Sequence, residues 1–253
     1  MKPIYKRFIL KLSGEALQGQ NGFGINSDAM ISISEEIKEV WKMDCEIGIV
    51  LGGGNIYRGN ARDKKFIDPV NADYMGMLAT VINGLALQNT LEKLGLETRV
   101  QSAFDMKQFC EPYIRRRAIR HLEKKRIVIF VGGTGNPYFT TDTAAALKAV
   151  EIGAEAVLKA TKVDGIYTAD PMLDPRAKRY STLTYIEVLQ KRLKIMDSAA
   201  ISLCMENSIP VIVFNLFEKG NLQKIVKGKG TSTILMDEVK RKTGLQPESK
   251  KRK

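Results

Sequence analysis

Short runs of apolar, β-branched residues recur along the chain, and helical patterns fill the intervals between them. The apolar runs predict strands at residues 7–12, 46–51, 97–101, 126–131, 156–160 and 210–215. Three of these runs contain the continuously apolar sequences IGIVL, IVIFV and VIVF, which is typical of central strands covered by helices on both faces. Helices are predicted at residues 27–43, 73–94, 112–125, 141–152 and 199–207. This alternation predicts a three-layer α/β/α sandwich around a mainly parallel central sheet.

Two segments depart from the alternation. Residues 164–183 contain Pro171, Pro175 and several turn formers, which predicts a long loop or a small hairpin of the kind that often covers a site in α/β enzymes. Residues 237–253 carry seven basic and three acidic side chains and few apolar ones. We therefore expect a single domain over residues 1–236, followed by a basic, disordered tail at 237–253.

The composition is that of an ordinary globular protein, with 44% hydrophobic and 27% charged residues. No apolar run approaches the roughly 20 residues that a membrane span needs, and the first residues do not have the pattern of a signal peptide. The cysteines are Cys45, Cys110 and Cys204, with no C-x-x-C pair among them, so reduced thiols are the simplest interpretation. These features predict a cytoplasmic protein without a membrane partner.

The formal net charge of +12 favours anionic ligands, which include both nucleic acids and charged metabolites. Part of this excess lies in the tail, and residues 1–236 carry a net charge of +8. No basic motif interleaved with aromatic residues, as in RNA-recognition modules, accompanies the charge. The sequence therefore argues against nucleic acid as the main partner and leaves a secondary, salt-dependent binding role open.

His121 is the one histidine of the sequence, and it lies in a strongly charged stretch at residues 115–125. That setting predicts a solvated helix face, far from any glycine-rich loop. Chemistry built on a histidine base is therefore disfavoured. Phosphoryl transfer remains possible, because it relies mostly on positioning and on stabilisation of charge.

Unusual residues follow the predicted carboxyl ends of three strands. Glycines occupy 52–54 after the second strand and 132, 133 and 135 after the fourth, while Lys11 closes the first strand. Consecutive glycines permit positive φ and let backbone N–H groups approach a phosphate closely. Ligands of open α/β sheets bind at this edge, so the three features together predict an anion site. The alternatives are a tight turn without a ligand and a lysine whose ammonium merely reaches solvent.

The helix after the second glycine loop begins with polar residues. Thr140 or Thr141 can cap it, and Asp142 falls in its first turn. A helix N-terminus that faces a glycine loop is a potential anion site. The alternative for Asp142 is compensation of the helix dipole, which is worth ~0.3–1 kcal/mol.

Several familiar nucleotide-binding signatures do not occur in this sequence. It contains no G-x-x-x-x-G-K-[ST] motif, and no G-x-G-x-x-G opens a βαβ unit. The H-R-D and D-F-G elements of protein kinases do not occur either. The sequence therefore excludes a P-loop enzyme and disfavours a Rossmann dinucleotide site.

Five long motifs resemble those of the amino-acid kinase superfamily and, within it, the bacterial UMP kinases. They begin at Lys11 (KLSGEAL), Gly52 (GGGNIYRG), Asp73 (DYMGMLAT), Gly133 (GTGNPYFTTD) and Leu158 (LKATKVDGIYTADP). The resemblance extends from about residue 5 to residue 235 and leaves the basic tail outside. It implies an amino-acid kinase-like fold and transfer of the γ-phosphate of ATP to UMP, which gives UDP and ADP in pyrimidine nucleotide biosynthesis.

The resemblance also implies a role for each matching position. Lys11 and Asp142 would be catalytic, with Lys11 on the transferring phosphoryl group and Asp142 orienting Lys11 or the metal. The ATP side would consist of Lys11, Leu12, Ser13, Gly14, Gly54, Arg58, Thr161, Tyr167 and Asp170. The UMP side would consist of Gly53, Arg58, Asp73, Thr134, Gly135, Asn136, Pro137, Tyr138, Phe139, Thr140 and Thr141, with Asp73 at the start of its helix.

Cofactors, effectors and assembly follow from the same resemblance. Mg²⁺ would bind through the ATP phosphates, without a metal site made of protein ligands alone. Family members assemble as homohexamers, and many are activated by GTP and inhibited by UTP. The stretch that matches the region tied to GTP consists of Gly19, Gln20, Asn21, Gly22, Phe23 and Gly24. The nearest rival is another amino-acid kinase, acting on carbamate, aspartate or N-acetylglutamate, and the motifs at 73 and 134–137 argue against it.

Overall fold

The computed structural model describes residues 2–58, 66–169, 171, 173–174, 176–193 and 195–237. Asp170 and residues 238–253 of the predicted tail lie outside this part of the chain. The strands within it are β1 (Arg7–Leu12), β2 (Glu46–Leu51), β3 (Thr98–Ser102), β4 (Glu111–Pro112), β5 (Ile127–Val131), β6 (Ala156–Thr161), β7 (Thr182–Thr184), β8 (Val211–Asn215) and β9 (Ser232–Met236). They form a single sheet in the order β4-β3-β5-β2-β1-β6-β8-β9-β7.

Helices cover both faces of this sheet. They are α1 (Ser27–Trp41), α2 (Pro69–Lys93), α3 (Arg115–Glu123), α4 (Thr141–Ile152), α5 (Tyr185–Gln190), α6 (Ser198–Glu206) and α7 (Asn221–Val226), together with a short 3₁₀ helix at Gly14–Ala16. One apolar core joins α1, α2 and α7 to the sheet, and a second core joins α3, α4, α5 and α6 to the opposite face. The predicted three-layer α/β/α sandwich is therefore confirmed.

Strand direction places the carboxyl ends of the central strands at one edge. Strands β1, β2, β5, β6 and β8 pair in parallel, β8 and β9 pair antiparallel, and β7 runs parallel to β9. All six residues of β1 are buried between β2 and β6. The loops that follow β1, β2, β5, β6 and β8 therefore meet, as expected for a ligand site in a sheet of this type.

The six strands and five helices predicted from the sequence are present, and most boundaries agree within a few residues. Strands β4, β7 and β9 and helices α5 and α7 were not predicted. Strand β4 has two residues and β7 has three, while α5 and α7 have six each, too few for a clear period. In the segment at 164–183, an antiparallel bridge joins Tyr167 to Arg179, in agreement with the predicted hairpin.

The start of α2 differs from the prediction. The helix begins at Pro69, because the Asp68 carboxylate accepts a hydrogen bond from the Val70 N–H at 3.0 Å and proline suits the first turn. Asp73 therefore lies in the second turn of α2, and the expectation that it opens the helix is wrong.

The environment of His121 also differs from the prediction. Its side chain is buried, with Nε2 3.1 Å from a Glu111 carboxylate oxygen and Nδ1 3.3 Å from the Arg126 guanidinium. The predicted solvated helix face is therefore wrong. Arg126 immediately precedes β5, whereas the second glycine loop follows the other end of that strand. His121 is thus remote from the glycine loops, as expected.

Two further observations concern the cysteines and the helices. Cys45, Cys110 and Cys204 are all free and buried, which agrees with reduced thiols. Burial raises the pKa of the Cys45 and Cys204 thiols to about 12, so neither is a reactive thiolate at neutral pH. Within the described ranges, no helix combines the length and apolar character required to cross a bilayer.

Candidate active site

Two lysines and one aspartate form a buried cluster at the carboxyl edge of the sheet. The Lys11 ammonium lies 2.9 Å from Oδ1 of Asp142, and the Lys159 ammonium lies 2.5 Å from Oδ2. Lys159 also donates a hydrogen bond to the Ile195 carbonyl at 2.6 Å. All three side chains are at most 13% exposed. The cluster thus carries one excess positive charge in a largely desolvated position.

The local sequence explains why these side chains meet. Lys11 and Lys159 are register partners on the adjacent parallel strands β1 and β6, so both point to the same face of the sheet. Helix α4 covers that face, and its N-cap Thr140 accepts hydrogen bonds from the N–H groups of Asp142 and Thr143. Asp142 in the first turn is thereby directed at both lysines. The structure excludes the two alternatives, a lysine reaching solvent and a carboxylate serving the helix dipole alone.

The electrostatics of the cluster are coupled. Burial alone would raise the pKa of the Asp142 carboxyl, but the charges of Lys11 and Lys159 hold that pKa below its ordinary value. Burial lowers the pKa of the Lys159 ammonium, and the carboxylate of Asp142 only partly opposes this shift. Asp142 is therefore ionised over the whole physiological range.

Lys159 was not singled out from the sequence as a site residue. It lies inside β6, where every other position except the terminal Thr161 is apolar. That is the same signal that identified Lys11 in β1. Lys159 could have been identified as a charged residue within a central strand whose register partner is Lys11.

The first glycine loop owes its glycines to close packing. A Cβ on Gly52 would lie 2.8 Å from the Gly14 nitrogen, and one on Gly53 would lie 2.6 Å from the Gly76 carbonyl oxygen of α2. Among the glycines at 52–54 none has positive φ, so the expectation of special φ values is wrong here. These glycines instead let the loop after β1, the loop after β2 and helix α2 approach one another at backbone distance.

The second glycine loop has the conformation that the sequence suggested. Gly132, Gly133 and Gly135 have φ of 78°, 59° and 82°, in the left-handed region that favours glycine. Helix α2 anchors this loop, because the Gly132 N–H donates to the Thr80 hydroxyl at 2.8 Å. The N–H groups of a turn of this kind can face an anion.

Tyr138, in the same loop, adopts a strained backbone conformation. Its φ of 69° is unusual for a residue with a side chain, and its N–H donates to the Asp73 carboxylate at 2.7 Å. Nearer the start of the loop, the Asn136 N–H donates to the Thr134 hydroxyl at 3.2 Å. Asp73 thus holds the loop at 134–141 against α2, and the structure brings these predicted site residues together.

A cavity of about 330 Å³ lies between α2 and the two glycine loops. Of the residues predicted for the two substrates, it is lined by Gly53, Gly54, Asp73, Phe139, Thr140 and Thr141. Its other lining residues were not among those predicted to bind either substrate, and they are Tyr57, Ile67, Pro69, Ala72, Gly76, Met77, Thr80 and Gly133. Arg58 and residues 134–138 lie outside its lining. The cavity has the size of a small-molecule site.

The loop after β1 follows Lys11 and packs against the first glycine loop. Leu12 ends β1, Ser13 is the N-cap of the 3₁₀ helix, and Gly14 is its first residue. Glu15, the next residue, forms an ion pair with Arg58 and lies 3.3 Å from the Lys162 ammonium. Arg58, predicted to hold phosphate, is therefore paired with Glu15 beside the glycine loop.

A second cavity, of about 650 Å³, opens next to Glu15. It is bounded by α1 from Asp28 to Glu36, by Lys162 after β6, and by Leu216 and Phe217 after β8. Gly19, Gln20 and Asn21 of the predicted GTP-related stretch also line it, whereas Gly24 is bonded to Asn55. This cavity lies at the carboxyl ends of β1, β6 and β8.

The residues predicted for the ATP nucleoside follow β6. The Thr161 hydroxyl donates to the Val163 carbonyl at 2.6 Å. The Tyr167 hydroxyl donates to the Asp164 carboxylate at 2.6 Å, and this hydrogen bond raises the pKa of Tyr167. Both therefore support the turn that follows the strand, on the same sheet edge as Lys11.

Residues 6–215 match the sequence pattern of the amino acid kinase family. The chain belongs to this family. Among solved structures it is similar to UMP kinase from Bacillus anthracis, with 40% identity, coverage of 92% of this chain and 97% of that chain, and a TM-score of 0.90. It is also similar to UMP kinase from Ureaplasma parvum, with 36% identity, coverage of 94% and 100%, and a TM-score of 0.87.

Proposed function

We propose that this protein is a UMP kinase, which transfers the γ-phosphate of ATP to UMP and yields ADP and UDP for pyrimidine nucleotide biosynthesis. The observation that carries the proposal is the cluster of Lys11, Asp142 and Lys159, which lies on the same carboxyl edge of the sheet as the two glycine loops. The similarity to two UMP kinases over more than nine tenths of the chain supports the same activity.

The chemistry of the transfer explains why such a cluster is useful. Two polyanionic phosphate groups must approach each other, and charge spreads over the transferring oxygens in the transition state. Fixed ammonium groups stabilise that charge without reorganisation of solvent, since Lys11 and Lys159 are already oriented by Asp142. The acceptor is an ionised phosphate, so it requires no general base.

The residues present fit a Mg²⁺ ion that is carried mainly by nucleotide phosphates. Within the described residues, no group of three or more acidic, histidine or cysteine side chains could hold a metal ion. Asp142 is the one carboxylate of the buried cluster, and Mg²⁺ is typically bound by one or two carboxylates together with substrate phosphates. When bound, the ion would offset phosphate charge; Asp142 and the glycine-loop N–H groups would hold its nucleotide complex in place.

We assign UMP to the 330 Å³ cavity. Asp73 and Gly53 line this cavity. The Asp73 carboxylate would accept a hydrogen bond from a ribose hydroxyl, and Gly53 and Arg58 would hold the phosphate. The buried Tyr57 hydroxyl has no hydrogen-bond partner among the described residues and is free to bind the nucleotide. The polar groups at 134–141 would read the edge of uracil.

ATP would lie on the other side of the cluster. Its phosphates would follow the loop of Lys11, Leu12, Ser13 and Gly14, with Gly54 and Arg58 opposite. Its nucleoside would extend toward Thr161, Tyr167 and Asp170 and the 650 Å³ cavity, where Glu15 and Lys162 supply polar groups. This arrangement would direct the γ-phosphate at the cavity assigned to UMP.

Self-association is supported by an exposed apolar strip on α2. Tyr74, Met75, Leu78 and Ile82 follow helical spacing and are 39–51% exposed. A strip of this kind is stabilised by a second copy of the same surface, as in the homohexamer implied by the sequence. Because α2 also carries Asp73, assembly would rigidify the UMP side.

Regulation belongs to the same proposal. GTP would activate through the stretch from Gly19 to Gly24, and UTP would inhibit, as the family resemblance implies. The three free cysteines agree with action in the cytoplasm.

A coupled assay of ADP release tests the activity. Purified protein with ATP and Mg²⁺ is assayed with UMP, CMP, dUMP, AMP, carbamate and aspartate as separate acceptors. The proposal requires UMP to give the highest kcat/KM. A preference for carbamate or aspartate would assign the chain to another branch of the family, and turnover of none of them would refute the proposed function.

A further inference from the structure

Two buried asparagines join the phosphate loops to helix α2. Asn55 follows the three glycines after β2, and Asn83 lies in the middle of α2; they are 1% and 0% exposed. The Asn55 amide donates to Asn83 Oδ1 at 3.0 Å, and the Asn83 amide donates back to Asn55 Oδ1 at 2.7 Å. We call these two residues the amide pair.

The remaining N–H groups of the amide pair bind backbone on opposite sides. Asn83 donates to the Gly52 carbonyl at 2.8 Å, and Asn55 donates to the Gly24 carbonyl at 2.8 Å. In return, the Gly24 N–H donates to the Asn55 carbonyl at 2.7 Å. All four amide N–H bonds of the pair are thereby used, as a buried polar network requires.

The loop after β1 rests directly on this network. A Cβ on Gly14 would lie 2.5 Å from Asn55 Oδ1 and 2.7 Å from the Gly54 nitrogen. Asn55 thus contacts the loop that follows Lys11, the first glycine loop and the segment that ends at Gly24. Through Asn83 it reaches α2, whose Asp73 and Thr80 hold the second glycine loop.

We propose that Asn55 and Asn83 form a positioning pair, which fixes the spacing between the donor loop after β1 and the acceptor wall on α2 and couples both to the segment at 19–24. Neither side chain lines the 330 Å³ cavity, so the pair acts through the loops that it holds. The expected effect of the pair on kcat rests on the proposed function. Its expected effect on the rigidity of the loops does not.

Kinetics test the first consequence. Replacement of either amide leaves the groups proposed to contact phosphate in place, but the distance between the loop after β1 and α2 is no longer fixed. A misplacement of about 1 Å can lower a rate ~10²-fold. For Asn55→Ser and Asn83→Ser we expect kcat to fall about 10- to 100-fold, with the KM for each nucleotide changed less than about threefold. Asn83→Asp should be at least as impaired, because its carboxylate faces the Gly52 carbonyl.

Thr98→Ala is the matched control. Thr98 is fully buried at the start of β3, away from the carboxyl edge of the sheet, and its hydroxyl donates to the Leu96 carbonyl at 3.0 Å. The Thr98→Ala variant therefore loses a buried hydrogen bond but leaves the loops after β1 and β2 unchanged. Each variant is assayed well below its own melting temperature. A kcat loss no greater than that of Thr98→Ala would overturn the proposal.

Hydrogen exchange of the nucleotide-free protein tests the second consequence without any activity. Asn83→Ser should accelerate amide exchange in the peptides that contain Gly14 and Gly24, although Asn83 bonds to neither, while Thr98→Ala should not. Acceleration confined to α2 and to Gly52 would refute the coupling. If wild-type protein has no UMP kinase activity but this long-range effect is present, the proposed function fails and the positioning pair stands.

Discussion

Lys11 and Lys159 are register partners on neighbouring strands, and their ammonium groups contact the two different oxygens of the Asp142 carboxylate. Two like charges are thereby held close together on the same face of the sheet. Such a pair is costly to bury unless an anion lies between or above it. Asp142 supplies the first anion, and in the proposed reaction the transferring phosphoryl group would supply the second.

We predict that Lys11→Ala and Lys159→Ala each lower kcat about 10²- to 10³-fold, because each removes a preorganised charge. Circular dichroism should show an intact fold. Lys148→Ala offers a comparison on α4, since that buried lysine pairs with Glu151 instead of Asp142. Activity of Lys159→Ala within a few-fold of wild type would remove Lys159 from the catalytic centre.

The pH dependence of kcat/KM should have an acid limb set by the substrate and an alkaline limb set by Lys159. The pKa of Asp142 is held below its ordinary value of 3.8, so Asp142 stays ionised above pH 4 and cannot cause a loss of activity near pH 6. We expect the acid limb of kcat/KM for UMP near pH 6, where the dianionic acceptor phosphate takes up one proton. The alkaline limb should lie below the ordinary lysine value of 10.5, because the Lys159 pKa is lowered.

Profiles of kcat/KM from pH 4.5 to about pH 10.5 would check both limbs. The lowered pKa of Asp142 also determines how the stability of the folded state depends on pH. Its ionised form stabilises the folded state above its unfolded pKa, and this contribution is lost only as pH falls through the lower folded value. An acid limb that vanished in Asp142→Asn would contradict the assignment of that limb to the substrate.

Acceptor specificity should favour UMP strongly over CMP. Cytosine reverses one donor–acceptor pair of the base edge, so the groups of residues 134–141 that would pair with uracil in the proposed complex would be left unpaired. Substrate competition with both nucleotides in one reaction would measure the ratio of kcat/KM directly. Comparable turnover of the two would show that this loop does not read the base.

Arg58→Lys and Asp73→Asn should each raise the KM for UMP about tenfold or more, with smaller effects on the KM for ATP. Arginine grips phosphate with a planar fork that lysine lacks. Asp73 accepts the Tyr138 N–H at 2.7 Å, and in the proposed complex it would also accept a hydrogen bond from a ribose hydroxyl. Steady-state kinetics with each nucleotide varied separately decides the point. A larger rise for ATP would place these residues on the donor side.

Assembly depends on the apolar strip of α2. Leu78→Glu and Ile82→Glu place charges at positions that are 47% and 51% exposed, so the isolated chain should still fold. We expect a smaller oligomer by light scattering, because a buried unpaired charge opposes association. Ile186→Glu, at an exposed apolar position on α5, is the control. An unchanged mass for both α2 variants would exclude this strip as an interface.

The sequence predicted the central strands well, because continuous apolar runs and glycine punctuation are local signals. It also identified Lys11, Asp142 and both glycine loops at one edge. It did not identify Lys159, whose importance depends on the pairing of β1 with β6, which are far apart in the chain. The close contact between Gly53 and Gly76 is likewise tertiary, so the first glycine loop was assigned the wrong reason for its glycines.

The acceptor cavity was only partly predictable. Asp73 and residues 139–141 belong to recognisable motifs, whereas Met77 and Thr80 reach the cavity through the rotation of α2. That helix starts at Pro69 because Asp68 caps its N-terminus, and the prediction of a start at Asp73 did not take this cap into account. Strands β7 and β9 are too short to show a clear period. Their place at the end of the sheet depends on the antiparallel pairing of β9 with β8 and on the pairing of β7 with β9.

The central position of β1 also constrains how the chain is made. As the polypeptide leaves the ribosome, β1 and its lysine emerge well before β6, the strand that completes their other side. Until residue 159 has been synthesised, the nascent protein presents an open strand edge, which is prone to association with other chains. A prematurely terminated product would retain Lys11 and both glycine loops, yet it could not assemble the charge pair. Catalytic competence therefore arrives late in translation, together with the closure of the sheet.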